Sequence, residues 1–336
     1  NNHGCCCAIW RFSGNKLDMS FFIENRILKT QALTIKSFVL LFRLLQFLLL
    51  FFFYFFSVSS VAQESESSNK FVRFVNGNAE WEGQLQTSIT SYKNSNGVTV
   101  ELVAAIHIGD EFYYRELNDY FITKDAVLYE LVANDNERPS PSDNVRSRTG
   151  LGFLQLAMAE FLQLSFQLEK IDYTPQNFRH ADLNPAQLAE TMQAKNENFF
   201  SMFISLAIVQ IASEQAASAE GEPVSSINLF SIIRALAADD QVIAFKFLLA
   251  KELAHSGGIS VGQQLEQQLT ILGDRNNVAL DVLQQVLRES EASNSTISEI
   301  SIFYGAAHMP GLERELMYSL GFEYSSQRWL TAWTIQ

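Results

Sequence analysis

The sequence predicts an α/β fold: a mixed central sheet with flanking helices and a large all-helical insertion or cap. Three observations carry this. Two β-rich runs, Gln84–Tyr92 and Val98–Ile106, flank an Asn-Gly turn; a strand–helix–strand succession follows to Leu131; and residues 151–272 show helical periodicity before a further strand–helix unit.

The hairpin comes first. Lys93-Asn94-Ser95-Asn96-Gly97 joins the two runs, and Asn96-Gly97 supplies the positive φ that a tight turn needs. The second run, VTVELVAAIH, is almost continuously apolar, which places it at the centre of a sheet covered on both faces. Asp110 stands where it would cap a helix running through Tyr120, and Asp125–Leu131 (DAVLYEL) reads as a second buried strand, so the pair forms a parallel crossover. In the helical middle the spacing predicts helices over Leu151–Glu169, Pro185–Ala217, Ser226–Ala237, Asp239–His255 and Val261–Leu272, with no strand among them. Phe199, Phe200, Phe203, Ile204 and Ile208 fall on one helical face, either core or a lipid or ligand groove. The core then closes: Asp274 caps a helix to about Glu289, Ile297–Tyr304 is an apolar strand, Pro310–Leu320 is a helix stopped by Gly321, and Glu323–Ile335 adds an edge strand.

Composition sets the class. Hydrophobic residues make up 47% of 336 and charged residues 18%, which excludes a disordered or coiled-coil chain. Residues 1–62 carry a net charge of +4 and the remainder −17, so the body repels phosphate backbones and nucleic acid is not an expected partner. The three cysteines are adjacent, Cys5 to Cys7, so no disulfide framework can form in the body, and no second Cys or His pair stands at zinc spacing. Residues 1–36 read as a non-globular leader, of which 1–18 would precede a start at Met19. Within 37–62, the run Phe38–Phe56 follows Arg26, Lys29 and Lys36 and ends in small residues at Ser60 and Ala62, the pattern of a signal peptide. An uncleaved membrane anchor through residues 38–56 is the competing reading, since about 20 apolar residues span a bilayer, and a buried core helix is a third. Either of the first two exports the body, residues 63–336, as a periplasmic, secreted or membrane-anchored domain.

Four histidines lie in the body. His107, in AAIHIGD, and His308, in YGAAHMPG, each follow a strand and precede a helix, where open α/β sheets place ligands; Gly305 lets a backbone or ligand approach closely. Glu130 ends the intervening strand, and a carboxylate among such neighbours needs a cation, a metal or a turn towards solvent. If the three share a cleft, two nitrogens and a carboxylate suit Mn, Fe, Co or Zn, and such a metal would acidify water and polarise a carbonyl for hydrolysis. Asp110 is either a further ligand or an N-cap. Phe178–Asp182 reads as a loop overhanging the cleft, in which His180 and Asp182 contact substrate or metal, or in which Asp182 or Asn184 merely caps the next helix. His255 ends a helix and complements its dipole. Arg275, on its own, reads as an exposed residue in a helix's first turn.

The stretches HIGDEFYYRELNDYFITKDAVLYELV, DRNNVALDVLQQVL and ISIFYGAAHMPGLERELMYSLGFE, in this order, resemble the TraB/PrgY/GumN family, which includes the TIKI metalloproteases and shares an EreA/ChaN-like fold. The family pattern is two Gly-x-x-His motifs, a Glu after the first and an Arg-Asn pair ahead of the second. His107, Glu130, Arg275 with Asn276, and Gly305 with His308 occupy those positions, with Ala104 where the first motif usually has Gly. The resemblance implies a metal-dependent hydrolase acting on a peptide or protein, with Mn or Co bound by His107, Glu130 and His308, and with Glu130, Arg275 and Asn276 serving catalysis, Arg275 by holding a substrate carboxylate or a developing oxyanion and Asn276 by orienting a neighbour through its amide. It equally allows a non-catalytic protein that sequesters a peptide, as in the PrgY branch, or haem, as in ChaN-like relatives. A structural role at a membrane would need only the apolar segments.

Overall fold

The hairpin forms as the turn residues dictate. In a computed structural model of the chain, β1 (Val72–Asn76) and β2 (Gly83–Lys93) are followed by β3 (Thr99–Ala105), which pairs antiparallel with the second half of β2 through Ile89–Lys93. Gly97 in the connecting turn has φ +86°, the left-handed conformation that glycine enters without steric cost. The structure describes residues 70–134, 137–141, 159–197, 229–256, 269–293 and 297–336, within one unit spanning Val58–Gln336. The leader, the apolar run 38–56, the Phe199–Ile208 face and residues 151–158, 198–217 and 261–268 of the expected helices lie outside the described residues. Among the described residues no helix is long and apolar enough to cross a membrane.

The sheet is mixed. β2 holds β1 along Gly83–Thr87, β3 along Ile89–Lys93, and β9 (Glu323–Ile335) antiparallel along its whole length. β9 has the boundaries that the sequence predicts. Beyond β3 the ladder turns parallel: β8 (Glu299–Gly305) lies between β3 and β5 (Ala126–Tyr129), and β7 (Phe178–His180) flanks β5. So the crossover expected between β3 and β5 leaves a gap of one strand, which the late strand β8 fills. Helix α1 (Glu111–Phe121) makes that crossover, and its Phe121 ring packs against Phe303 and Phe178, with centroids 4.8 and 5.7 Å away. β3, β5 and β8 are covered on both faces: Leu102, Val103, Val127, Leu128, Ile300 and Ile302 are all fully buried, which explains their unbroken apolar runs.

Two short strands fall inside the segment expected to be purely helical. β6 (Ser165–Phe166) pairs with β4 (Ile108–Gly109) just after His107, and β7 extends the main sheet. β7 was hidden because Phe178-Arg179-His180 is too short to show alternation, and the parallel ladder to β5 decides its conformation. Around these lie α2 (Gln167–Lys170), α3 (Pro185–Ala194), α4 (Leu229–Leu236) and α5 (Gln241–Ser256). A π-turn, Thr270–Asp274, leads directly into α6 (Arg275–Ser293), and a 3₁₀ turn, Ala306–His308, leads from β8 into α7 (Met309–Tyr318). Gly321, at φ +70°, follows α7.

Candidate active site

Register brings the predicted residues together. β3, β8, β5 and β7 are parallel, so their C-terminal ends form one edge: Ala105 is level with Gly305, and Tyr129 with Phe303 and His180. The residues that leave this edge are His107, His308, Glu130 and Asp182. Open parallel sheets bind ligands at that edge.

Glu130 is the hub. Its Oε1 accepts from Arg275 Nη2 at 2.7 Å and lies 3.6 Å from His308 Nε2, while its Oε2 accepts the backbone N–H of Gly305 at 2.5 Å. Burial disfavours the charged carboxylate, but the Arg275 guanidinium foremost, with the Gly305 N–H, outweighs this and holds the Glu130 carboxyl down at about 2. Glu130 therefore does not turn to solvent. Arg275 is likewise buried, not the exposed first-turn residue that the sequence allowed, and burial is opposed by Glu130 and Asp182, which raise its pKa. Asp182 takes Arg275 Nε at 2.8 Å and Nη2 at 2.6 Å, and its side chain is fully enclosed.

Both histidines meet a side-chain amide. His308 Nδ1 is 2.7 Å from Asn276 Oδ1, and His107 Nδ1 is 3.2 Å from Gln167 Oε1. An amide oxygen only accepts, so in each neutral ring Nδ1 carries the proton and Nε2 the lone pair. Burial, with Arg275 next among the groups that lower it, pushes His308 down to about 4 against the pull of Glu130, so this ring is neutral at pH 7. The three side chains converge beside Gly305. A Cβ added there would stand 3.2 Å from Glu130 Oε2, 3.8 Å from His107 Nε2 and 3.7 Å from His308 Cδ2, so only glycine leaves this point open.

The groups that could hold a divalent cation are thus His107 Nε2, His308 Nε2 and Glu130, the set the sequence singled out. Among the described residues no three His, Cys, Asp or Glu side chains are closed into a ready metal site. Both Glu130 oxygens already accept a hydrogen bond, from Arg275 and from Gly305. Yet two imidazole lone pairs and a carboxylate around one open point are chemically a cation's donor set, each oxygen keeping a second lone pair.

Other candidates fall elsewhere. Asp110 occupies the N-cap position of α1 without making the capping bond; its Oδ1 meets Lys246 Nζ at 3.1 Å and its Oδ2 accepts the Thr334 N–H at 2.6 Å, tying α5 and β9 to the β3–α1 turn. His180 lies on β7, and its Nε2 donates to the Leu131 carbonyl at 2.6 Å, which removes that nitrogen from any ligand. Asp182 neither overhangs the cleft nor caps α3. Asn184 provides that cap, with Gln187 completing a capping box. Ala104 is buried within β3, and its carbonyl accepts Tyr113 Oη at 3.2 Å.

Gln167 and its neighbour Tyr173 were missed. Their only sequence signal was polarity within an apolar segment, and Gln167 is 60 residues from His107. No model of a known protein family matches this chain, and no curated protein matches it.

Proposed function

We propose that the protein is a divalent-metal-dependent hydrolase, peptidase-like in chemistry, exported from the cytoplasm, with its site at the C-terminal edge of the parallel strands. The observation that carries this reading is the convergence of His107, Glu130 and His308 on the open point beside Gly305. Mn or Co is the favoured metal, Fe or Zn the alternative, and a peptide or protein the substrate. A divalent cation held there supplies Lewis acidity towards a carbonyl and its attacking water.

The chain's own residues do the rest. Asn276 holds His308, and Arg275, held by Asp182, keeps Glu130 ionised, the form in which a carboxylate binds a cation. Arg275, whose Nε and Nη2 engage Asp182 and Glu130, is the cation placed to hold a substrate carboxylate or a developing oxyanion. The Arg275 bond to Glu130 also favours a second reading, in which the cluster is a closed ion-pair network in a non-catalytic binding protein.

Metal content separates the two. Purified protein loaded with Mn, Co, Fe or Zn, compared with His107→Ala and His308→Ala by mass spectrometry, should show near-stoichiometric metal that both variants lose, together with EDTA-sensitive peptide cleavage. Metal-free protein in every condition would leave the binding protein as the better reading.

A further inference from the structure

Gln167 lies across from His107 because two short elements put it there. β4 starts one residue after His107 and β6 ends one residue before Gln167, and Ile108 pairs with Phe166 and Gly109 with Ser165. The Gln167 backbone N–H then donates to the His107 carbonyl at 2.8 Å, so backbone and side chain of the two residues are clamped together. The amide itself cannot rotate freely. Its Nε2 donates to Tyr173 Oη at 2.9 Å while its Oε1 meets His107 Nδ1, and Gln167 and Tyr173 are both buried, so the amide is tied at both ends. Tyr173 is seated by its ring contacts with Tyr129 and Phe178, at 5.0 and 6.0 Å.

We infer that Gln167, held by Tyr173, is a positioning residue that fixes His107 as the Nδ1–H tautomer and aims its Nε2 lone pair at the point beside Gly305. It does for the first histidine what Asn276 does for the second. The tautomer rests on geometry alone; its consequence for metal affinity rests on the hydrolase reading above. A ligating histidine whose other nitrogen has a fixed hydrogen-bond acceptor binds more tightly, and losing that acceptor typically weakens metal binding about 10- to 100-fold.

The test uses the full metal-free chain labelled with ¹⁵N-histidine, with long-range ¹H–¹⁵N spectra reading the tautomer and His107→Ala assigning the resonance. Wild type should show His107 protonated at Nδ1. Gln167→Met should move it towards the Nε2–H form, Tyr173→Phe should move it part of the way, and Gln167→Glu, which keeps an acceptor oxygen, should restore Nδ1–H. Titration with Mn or Co should follow the same order, with Gln167→Met weakened about 10- to 100-fold and Gln167→Glu least affected. An unchanged His107 tautomer in both Gln167→Met and Tyr173→Phe overturns the inference whether or not metal binds. The expected tautomer shifts with no metal bound by any form would uphold Gln167's role and bring down the hydrolase reading instead. Should Gln167→Met fail to fold, Tyr173→Phe decides alone, since it leaves Gln167 and its backbone bond in place.

Discussion

Arg275 grips Asp182 side-on, through Nε at 2.8 Å and Nη2 at 2.6 Å, and uses the same Nη2 for Glu130 at 2.7 Å. One buried cation thus serves two buried carboxylates. Removing it leaves two uncompensated charges in a closed site, which is far costlier than exchanging a surface pair. Arg275→Met should destabilise the fold by at least about 3–5 kcal/mol, and urea denaturation monitored by tryptophan fluorescence would measure it. A loss below about 1 kcal/mol would mean that the cluster is open to water.

Gly305→Ala isolates the open point. At φ −53° and ψ 142° the backbone suits alanine, so the change adds a methyl group without dihedral strain. That methyl would occupy the space between Glu130 Oε2 and both imidazoles. The fold should hold to within about 1–3 kcal/mol, the usual cost of overpacking. Metal uptake should fall sharply. Calorimetric titration with Mn or Co beside a thermal melt would show both, and unchanged uptake would move the cation's position away from Gly305.

His180 provides a control within the same sheet. Its Nε2 donates to the Leu131 carbonyl, and its ring meets Tyr129 edge-on with centroids 5.6 Å apart. His180→Phe should cost about 1–3 kcal/mol through the lost hydrogen bond, and leave metal content at the wild-type level. Metal lost with His180 but kept with His107→Ala would invert the assignment of the site.

The sequence foretold most of the sheet and three of the converging side chains, for one reason: a strand buried on both faces is an unbroken apolar run, and a polar residue at its C-terminal end stands out. His107, Glu130 and His308 are such residues. Asp182 was seen but misplaced, because β7 owes its conformation to pairing with β5 and not to any local pattern. Gln167 was invisible, since nothing in a polar side chain opening a four-residue helix betrays a partner across a two-stranded ribbon. Asp110 was misread for the opposite reason: its N-cap position is real, but Lys246 and the Thr334 N–H outcompete the cap for its oxygens.

Asp125 links pH to the far end of the same sheet. Its Oδ2 accepts the Ser298 N–H at 2.7 Å, the Glu299 N–H at 2.9 Å and the Ser298 hydroxyl at 3.2 Å, pinning the start of β8 beside β5. Burial opposes its charge, but these donors together with the nearby Lys124 outweigh it and lower its pKa. A carboxyl whose folded pKa lies below the unfolded value of about 3.9 stabilises the fold fully above that pH, and the contribution disappears as pH falls through the folded value. Asp125→Asn, which keeps an acceptor but no charge, should therefore cost about 1 kcal/mol at pH 7, a figure already reduced for the exposure of this site. The gap between the two proteins should close on acidification below about pH 4. Urea midpoints for both, taken from pH 7 down to pH 3, would reveal it; a gap that widens in acid would show that Asp125 is held protonated in the fold, against the geometry of its three donors.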